Sequence, residues 1–405
     1  MSELYSLPDG WEWKELQFFG KFIRGVSYKK EQLLESPTND SFTLLRANNI
    51  QNELELDDIQ IVPKDVAKGK EIKDGDILFA MSSGSKHLVG KNILLNGLKN
   101  YTFGAFCSIY RNQKNDVLNN YYLSYVLKSN LYRDKLSGLS MGANINNLKS
   151  SDLEIMKIPL PPLEEQKRIV AKLDNLFAKI DKAIALHQKN IDEADIFMAS
   201  VLNEVFVELE EKYEKKQLNE IIKIIGGGTP SKANKEYWEN GTIKWATVGD
   251  MNVETITKTE LSITEIGLKN SSSNIIPKNG IIIVTRVGLG KVCYLEDDIA
   301  INQDLKGLIP KYNNLNIRYL FNFFKNIEKY IISNGTGATV KGVKVEFIKE
   351  LEIPLPPLKT EQKVVSYLDE ISQKMEKIKN LQKEKMQSLK ELKASILDKA
   401  FKGEL

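Results

Sequence analysis

The sequence predicts an α+β protein: two globular mixed α/β domains separated by two long helices that form an antiparallel coiled coil, with pseudo-twofold symmetry. Three observations carry this. Ile158-Pro-Leu-Pro-Pro-Leu163 recurs as Ile353-Pro-Leu-Pro-Pro-Leu358, a shift of 195 residues. Each copy is followed by a narrow apolar stripe at helical spacing, and each is preceded by short apolar runs bounded by turn residues. The repeat unit is far longer than a solenoid repeat, so it marks a tandem domain duplication.

The shift holds back to Gly142 and Gly337 and forward through Ile169-Val170 against Val364-Val365 and Leu173-Asp174 against Leu368-Asp369. Glu165-Gln166-Lys167 against Glu361-Gln362-Lys363 is displaced by one, which reads as a single-residue indel. The resulting segments are 1–160, 161–212, 213–355 and 356–405, globular and helical in alternation.

In the first globular segment, Gly75-Asp-Ile-Leu-Phe-Ala80 reads as a buried strand and Tyr121–Leu127 as a helix with one apolar face; Gly280–Thr285 and Arg318–Phe324 are their counterparts. In the first long helix the apolar seam runs through Ile169, Leu173, Leu176, Ile180, Ile184 and Ile191, with His187 as a tolerated polar seam residue. In the second it runs through Val364, Leu368, Ile371, Met375 and Ile378, then, after a slip in phase near Leu381 and Met386, through Leu389, Leu392 and Ile396. A helix of roughly 40 residues, about 60 Å long, must bury such a stripe, and each helix is the natural partner of the other. Their charges agree: residues 164–214 carry −5 and residues 359–405 carry +3. The prolines before each helix read as stiff joints.

Net charge is +3, too small to suggest nucleic acid by bulk electrostatics alone. The amino terminus lacks a basic stretch followed by an apolar run, and no apolar segment is long enough for a bilayer, so a cytoplasmic protein is expected. Cys107 and Cys293 are expected as buried thiols, and with only His87 and His187 besides there is no zinc-ligand spacing, so no metal is expected. The Asn/Asp-Pro-Pro-aromatic motif of an amino-methyltransferase and its glycine-rich donor turn are both missing. Gly288-Leu-Gly290-Lys291 resembles a fragment of a phosphate loop without its upstream glycine or its Ser/Thr and reads as a turn; Asp65 with Glu71-Ile-Lys73 is too closely spaced for a nuclease metal site.

Several residues resemble a known family, the specificity subunits of type I restriction-modification systems. They are Pro161-Pro162-Leu163-x-Glu165-Gln166-Lys167-Arg168-Ile169-Val170 and its repeat, the terminal Leu389–Leu405 segment, and Gly226-Gly-Gly-Thr229-Pro230-Ser231-Lys232 with Tyr237-Trp238, Ile243-Lys244-Trp245 and Gly249-Asp250-Met251. The first domain departs from this pattern, with Arg24-Gly25-Val26-Ser27-Tyr28 in place of the Gly-Gly-Thr-Pro motif. The resemblance implies two target-recognition domains (1–160 and 213–355), each reading one half of a bipartite, asymmetric site on double-stranded DNA, and two spacer helices. It implies a non-catalytic chain that directs adenine methylation or restriction, with two modification subunits and the restriction subunits as partners. Cofactors (S-adenosylmethionine, ATP, Mg) would then sit in those partners and none in this chain. Rival readings are the specificity subunit of a related two-subunit restriction enzyme, a self-contained methyltransferase or nuclease, and a coiled-coil scaffold.

Amides can pair bidentately with adenine, Arg with guanine, and hydroxyls or lysines with bases and phosphate. Loops rich in these groups supply the DNA-contact candidates: Tyr28, Lys29, Lys30, Arg46, Asn48, Asn49, Ser82, Ser83 and Lys86 in the first domain. In the second they are Thr229, Ser231, Lys232, Lys244, Thr247, Arg286, Lys291, Asn302 and Gln303, while Trp238 and Trp245 are read as core.

Overall fold

The computed structural model describes residues 5–51, 53–82, 89–140, 147–312, 314–337 and 340–405, without the side chains of 137–140. Contacts divide the chain into one unit of Met1–His187 with Glu384–Leu405 and another of Gln188–Lys383. The division falls inside the helices Leu163–Lys212 and Leu358–Lys402, so each unit holds part of both.

In the first unit a four-stranded sheet runs in the order Gly20–Arg24, Cys107–Asn112, Ile77–Ala80, Asn92–Leu94, all antiparallel. A three-stranded sheet places Ser41–Leu45 between Gln60–Pro63 and a parallel Tyr101–Phe103. In the second unit the corresponding sheets are Ile222–Gly226, Leu305–Pro310, Ile281–Val284, Val292–Leu295, Thr255–Ile256, and Leu261–Ile263, Ile243–Ala246, Ile299–Ile301, Asn274–Ile276. The expected strands are the central ones, and their two-residue period explains their composition. Ile77 and Phe79 enter the core shared with the helices, whereas Leu78 and Ala80 enter a second core behind the sheet. Ile281 and Ile283 divide from Ile282 and Val284 in the same way. A strand buried on both faces must be apolar throughout.

The repeated Ile-Pro-Leu is itself a strand: Lys157–Leu160 pairs with Glu12–Glu15, and Glu352–Pro354 with Lys215–Gln217. Well upstream of it in the chain, an asparagine caps each unit's amphipathic helix: Asn119 accepts from Tyr121 and Tyr122, and Asn316 from Arg318 and Tyr319. The next tyrosines bind the proline segment, Tyr122 Oη donating to the Pro159 carbonyl at 2.9 Å and Tyr319 Oη to that of Pro354 at 2.8 Å.

Beside this joint lies Gln166, with 0% exposure; its Oε1 accepts from the Asn119 amide at 2.8 Å and its Nε2 donates to the Val117 and Pro161 carbonyls, each at 2.9 Å. Its counterpart is Glu361, also 0% exposed, whose Oε2 accepts from the Asn316 amide at 2.6 Å. Gln166 and Glu361 are 195 residues apart, so the expected indel is not there. Across this joint the copies run without a gap, and a substitution mimics a shift.

The seam also differs from the expected one. Within the first unit the helices run antiparallel, with Lys393 Nζ 2.8 Å from Asp181 and Arg168 Nη2 2.8 Å from the Leu405 carbonyl. Within the second, Lys379 Nζ is 3.0 Å from Asp195 and Asn190 donates to Gln382 at 3.5 Å, again antiparallel. On the first helix the inward positions are Leu173, Phe177, Ile180, Ile184, His187, Ile191, Ala194, Met198 and Val201, alternating steps of four and three; Phe177, more than Leu176, fills the seam. On the second they are Val365, Leu368, Ser372, Met375, Lys379, Gln382, Met386, Leu389, Lys393, Ile396 and Ala400, and the heptad never slips. Ile378 and Leu392, expected in the seam, are 41% and 48% exposed. The apolar pattern misled because lysines occupy two seam positions, their stems covering the partner helix and their ammonium groups reaching its aspartates. Phe177 receives Lys393 Nζ 4.7 Å from its ring centroid. Leu397, Ala400 and Phe401, not singled out as seam residues, are buried in the first unit's core, with Phe401 edge-on to Tyr122.

Candidate nucleic-acid interface

In each unit most candidate residues lie on loops, some between the two sheets and others between strands of one sheet, while Lys244 is in the strand Ile243–Ala246. In the first unit the strand Ser41–Leu45 ends in a single turn, Ala47–Asn49. Arg46 ion-pairs with Asp58 at 2.6 Å, and Asn48 Nδ2 donates to the same carboxylate at 2.9 Å. Asn49 does not face outward: at 1% exposure it accepts from the Arg46 amide at 2.7 Å and donates to the Glu55 and Asp58 carbonyls. It closes the turn and is unavailable to a base. Asp250 does the same for Thr247 in the second unit, accepting from its amide at 2.8 Å, so Thr247 is committed to a turn as well.

Lys29 and Lys30 are exposed, and half-buried Tyr28 donates to Gln60 at 2.5 Å. Ser82 forms a bridge with Asn147; Ser83 and Lys86 lie outside the described residues, as does His87.

In the second unit three candidates come together. Thr229 donates to the Gln303 carboxamide oxygen, Gln303 Nε2 reaches Asp304 at 3.3 Å, and Arg286 lies 3.6 Å from the same Asp304. Asn302 is 7% exposed and its Oδ1 accepts from the Asp304 amide at 3.1 Å, so it shapes this loop from within. Lys244 is apart, paired with Asp297, which holds that carboxyl below its usual range. Ser231 and Lys232 are exposed; Lys291 Nζ donates to Asn252 Oδ1 at 2.6 Å.

The Gly-Gly-Thr-Pro motif has a backbone explanation. A Cβ on Gly227 would stand 2.2 Å from the Asn302 carbonyl oxygen, and one on Gly25 would stand 2.0 Å from that of Gly104. Both glycines follow the first strand of the larger sheet, and the next amides, of Gly228 and Val26, bond to Ile301 and Phe103 of the smaller sheet. The dissimilar motifs therefore make the same crossing between sheets. Trp245 is buried and stacks edge-on with half-buried Trp238, as core residues.

Burial pushes the thiols of Cys107 and Cys293 up to about 12, so both are protonated and unreactive. Among the described residues no group of acidic, His or Cys side chains could hold a metal ion, and no helix is long and apolar enough to cross a membrane. The loop faces offer hydrogen bonding and positive charge.

Two similar domains that differ in loop chemistry, each packed on antiparallel helices, define a protein with two recognition surfaces on one chain. The family model of the type I restriction modification DNA specificity domain matches residues 8–193 and again 210–386. The chain belongs to this family. It is 32% identical over 423 residues to the type I restriction enzyme EcoKI specificity subunit of Escherichia coli strain K12, covering 98% of this chain and 90% of that one. To the StySPI specificity subunit of Salmonella potsdam it is 30% identical, covering 98% and 90%. A solved chain, from work on complex assembly and conformational transition of the type I R-M system, shares the fold with a TM-score of 0.76 at 23% identity, covering 99% of this chain and all of that one.

Proposed function

We propose that this chain is the DNA-specificity subunit of a type I restriction-modification complex. Residues 1–160 and 213–355 are its target-recognition domains, each reading one half of a bipartite, asymmetric duplex site; 161–212 and 356–405 are its spacer helices. The chain does no chemistry. Adenine methylation and ATP-driven cleavage belong to the modification and restriction subunits that assemble on it, in the cytoplasm.

The observation that supports this reading is one topology built twice with different side chains clustered on its loops. Arg46 and Asn48 around Asp58 stand in the first unit; Thr229, Gln303 and Arg286 around Asp304 stand in the second. Arginine and amide groups read guanine and adenine edges, while hydroxyls are more tolerant, so unlike loops select unlike half-sites. Asn49 and Asn302 support those loops and contact no base. Footprinting the chain with its modification partner is expected to protect a single bipartite sequence. The double variant Arg46→Ala/Asn48→Ala is expected to relax one half of that sequence and leave the other intact. Equal protection of unrelated duplexes would overturn the reading.

A further inference from the structure

Both units carry a Gly-Lys dipeptide at the same place in the fold. After the central strand Ile77–Ala80 the chain returns through Gly90-Lys91 into the strand Asn92–Leu94, and after Ile281–Val284 it returns through Gly290-Lys291 into Val292–Leu295. The glycines have φ of 82° and 93°, and the last strand residues, Ala80 and Val284, each donate to the carbonyl of the lysine at 2.9 Å. The second of these is the turn seen in sequence as Gly288-Leu-Gly290-Lys291, and the first shares its Gly-Lys.

The lysines then do the same thing. Lys91 Nζ donates to the carboxamide oxygen of Gln51 at 3.2 Å, and Lys291 Nζ to that of Asn252 at 2.6 Å. Each amide in turn donates to the carbonyl three residues before it, Gln51 to Asn48 at 3.1 Å and Asn252 to Gly249 at 3.0 Å. Lysine, amide and carbonyl thus recur as one device on the turn that ends the middle strand of the smaller sheet. The device differs from the neighbouring basic groups in its charge. Arg46, Lys244 and Arg286 are each opposed by an aspartate, whereas neither Lys91 nor Lys291 forms an ion pair among the described residues. A neutral amide orients the ammonium without cancelling it, and an ammonium has three protons, of which the amide takes one.

We propose that Lys91 and Lys291 are equivalent phosphate anchors, one for each half-site, held by Gln51 and Asn252, with the two N–H groups that bond to no other described residue directed to backbone phosphates of duplex DNA. This rests on the chain being a DNA-specificity subunit. Phosphate contacts set register without reading sequence, which fits a pair of residues that stays the same while the surrounding loops differ.

The test is salt dependence. Affinity of the full chain with its modification partner is measured against salt concentration, on a duplex carrying the motif methylated in cells that express it. Each lost phosphate contact lowers the slope of log K against log [salt] by about 0.9. Lys91→Ala and Lys291→Ala are each expected to lower it by that much, the double variant by about twice as much, with the methylated motif unchanged. Lys→Arg at either position is expected to keep the slope, as are Gln51→Leu and Asn252→Leu, which remove only the orienting group. Weakened binding at unchanged slope in both alanine variants would make the device a structural clasp and overturn the proposal. Failure of the unaltered complex to prefer any duplex would instead sink the reading on which it rests.

Discussion

Glu361 is a carboxyl group in a place built for an amide. Gln166 at the equivalent joint uses Nε2 to satisfy two carbonyls, but in Glu361 the corresponding atom, Oε1, is buried without a hydrogen-bond partner. Burial is the larger influence and the Asn316 amide the smaller, opposing one, and together they raise the carboxyl from 4.5 to about 6. Between those values the folded chain holds a proton that the unfolded chain has released, so stability falls as pH rises through this window and stays reduced above it. At about 1.4 kcal/mol per pH unit, the charged form costs the second unit about 2 kcal/mol at pH 8. Glu361→Gln removes that cost and supplies the missing donor. It is expected to stabilise the unit by about 2 kcal/mol at pH 8 and by less than half of that near pH 5. Hydrogen exchange of the helix Ile317–Asn326, whose cap donates to Glu361, reads the opening of this unit without assuming that the whole chain unfolds at once. The converse change, Gln166→Glu, is expected to weaken the first unit most at high pH. Equal stabilisation by Glu361→Gln at both pH values, or a loss, would refute the account.

Gly227→Ala is expected to cost about 2–3 kcal/mol or more, because the new methyl meets a carbonyl oxygen at 2.2 Å, while Thr229→Ala nearby stays within about 0.5 kcal/mol; denaturant midpoints compare the two. Gly25→Ala is expected to match it in the first unit, and a neutral result at both would remove the shared crossing between sheets. Lys379→Leu is expected to raise the melting temperature, since an ion pair to an aspartate 64% exposed contributes at most about 1 kcal/mol and a seam leucine buries apolar surface instead. A lower melting temperature would show that the seam depends on that charge.

The sequence showed the architecture plainly where burial dictates composition. Ile77–Ala80 and Ile281–Val284 are legible because both faces of each strand are covered, and the helix starts because a proline segment precedes each. The seam is less so: Lys379 and Lys393 look like surface residues by composition, and the apolar pattern points to their neighbours Ile378 and Leu392 instead. At the joint, Glu361 beside Gln362 imitated a displaced Glu-Gln pair, and only the bond to Asn316 shows which residue does the work of Gln166.

The loop faces were hardest to read, for a reason visible in the numbering. Equivalent residues lie 195 apart at Pro159 and Pro354, 197 at Asn119 and Asn316, 200 at Lys91 and Lys291, 201 at Arg46 and Thr247, 202 at Gly25 and Gly227, and 204 at Ala80 and Val284. Strands and helix starts keep their spacing because their neighbours fix it, whereas loops between them gain and lose residues at little cost in closure entropy. A comparison at one fixed offset therefore fails beyond the helix joint, although the fold continues to match. The Gly-Lys turn, with a two-residue signature, is too short to be found through drifting loops, and Gln51 and Asn252 differ in side-chain length. Their equivalence lies in hydrogen bonds, from a lysine and to a carbonyl three residues back, which only the folded chain brings together.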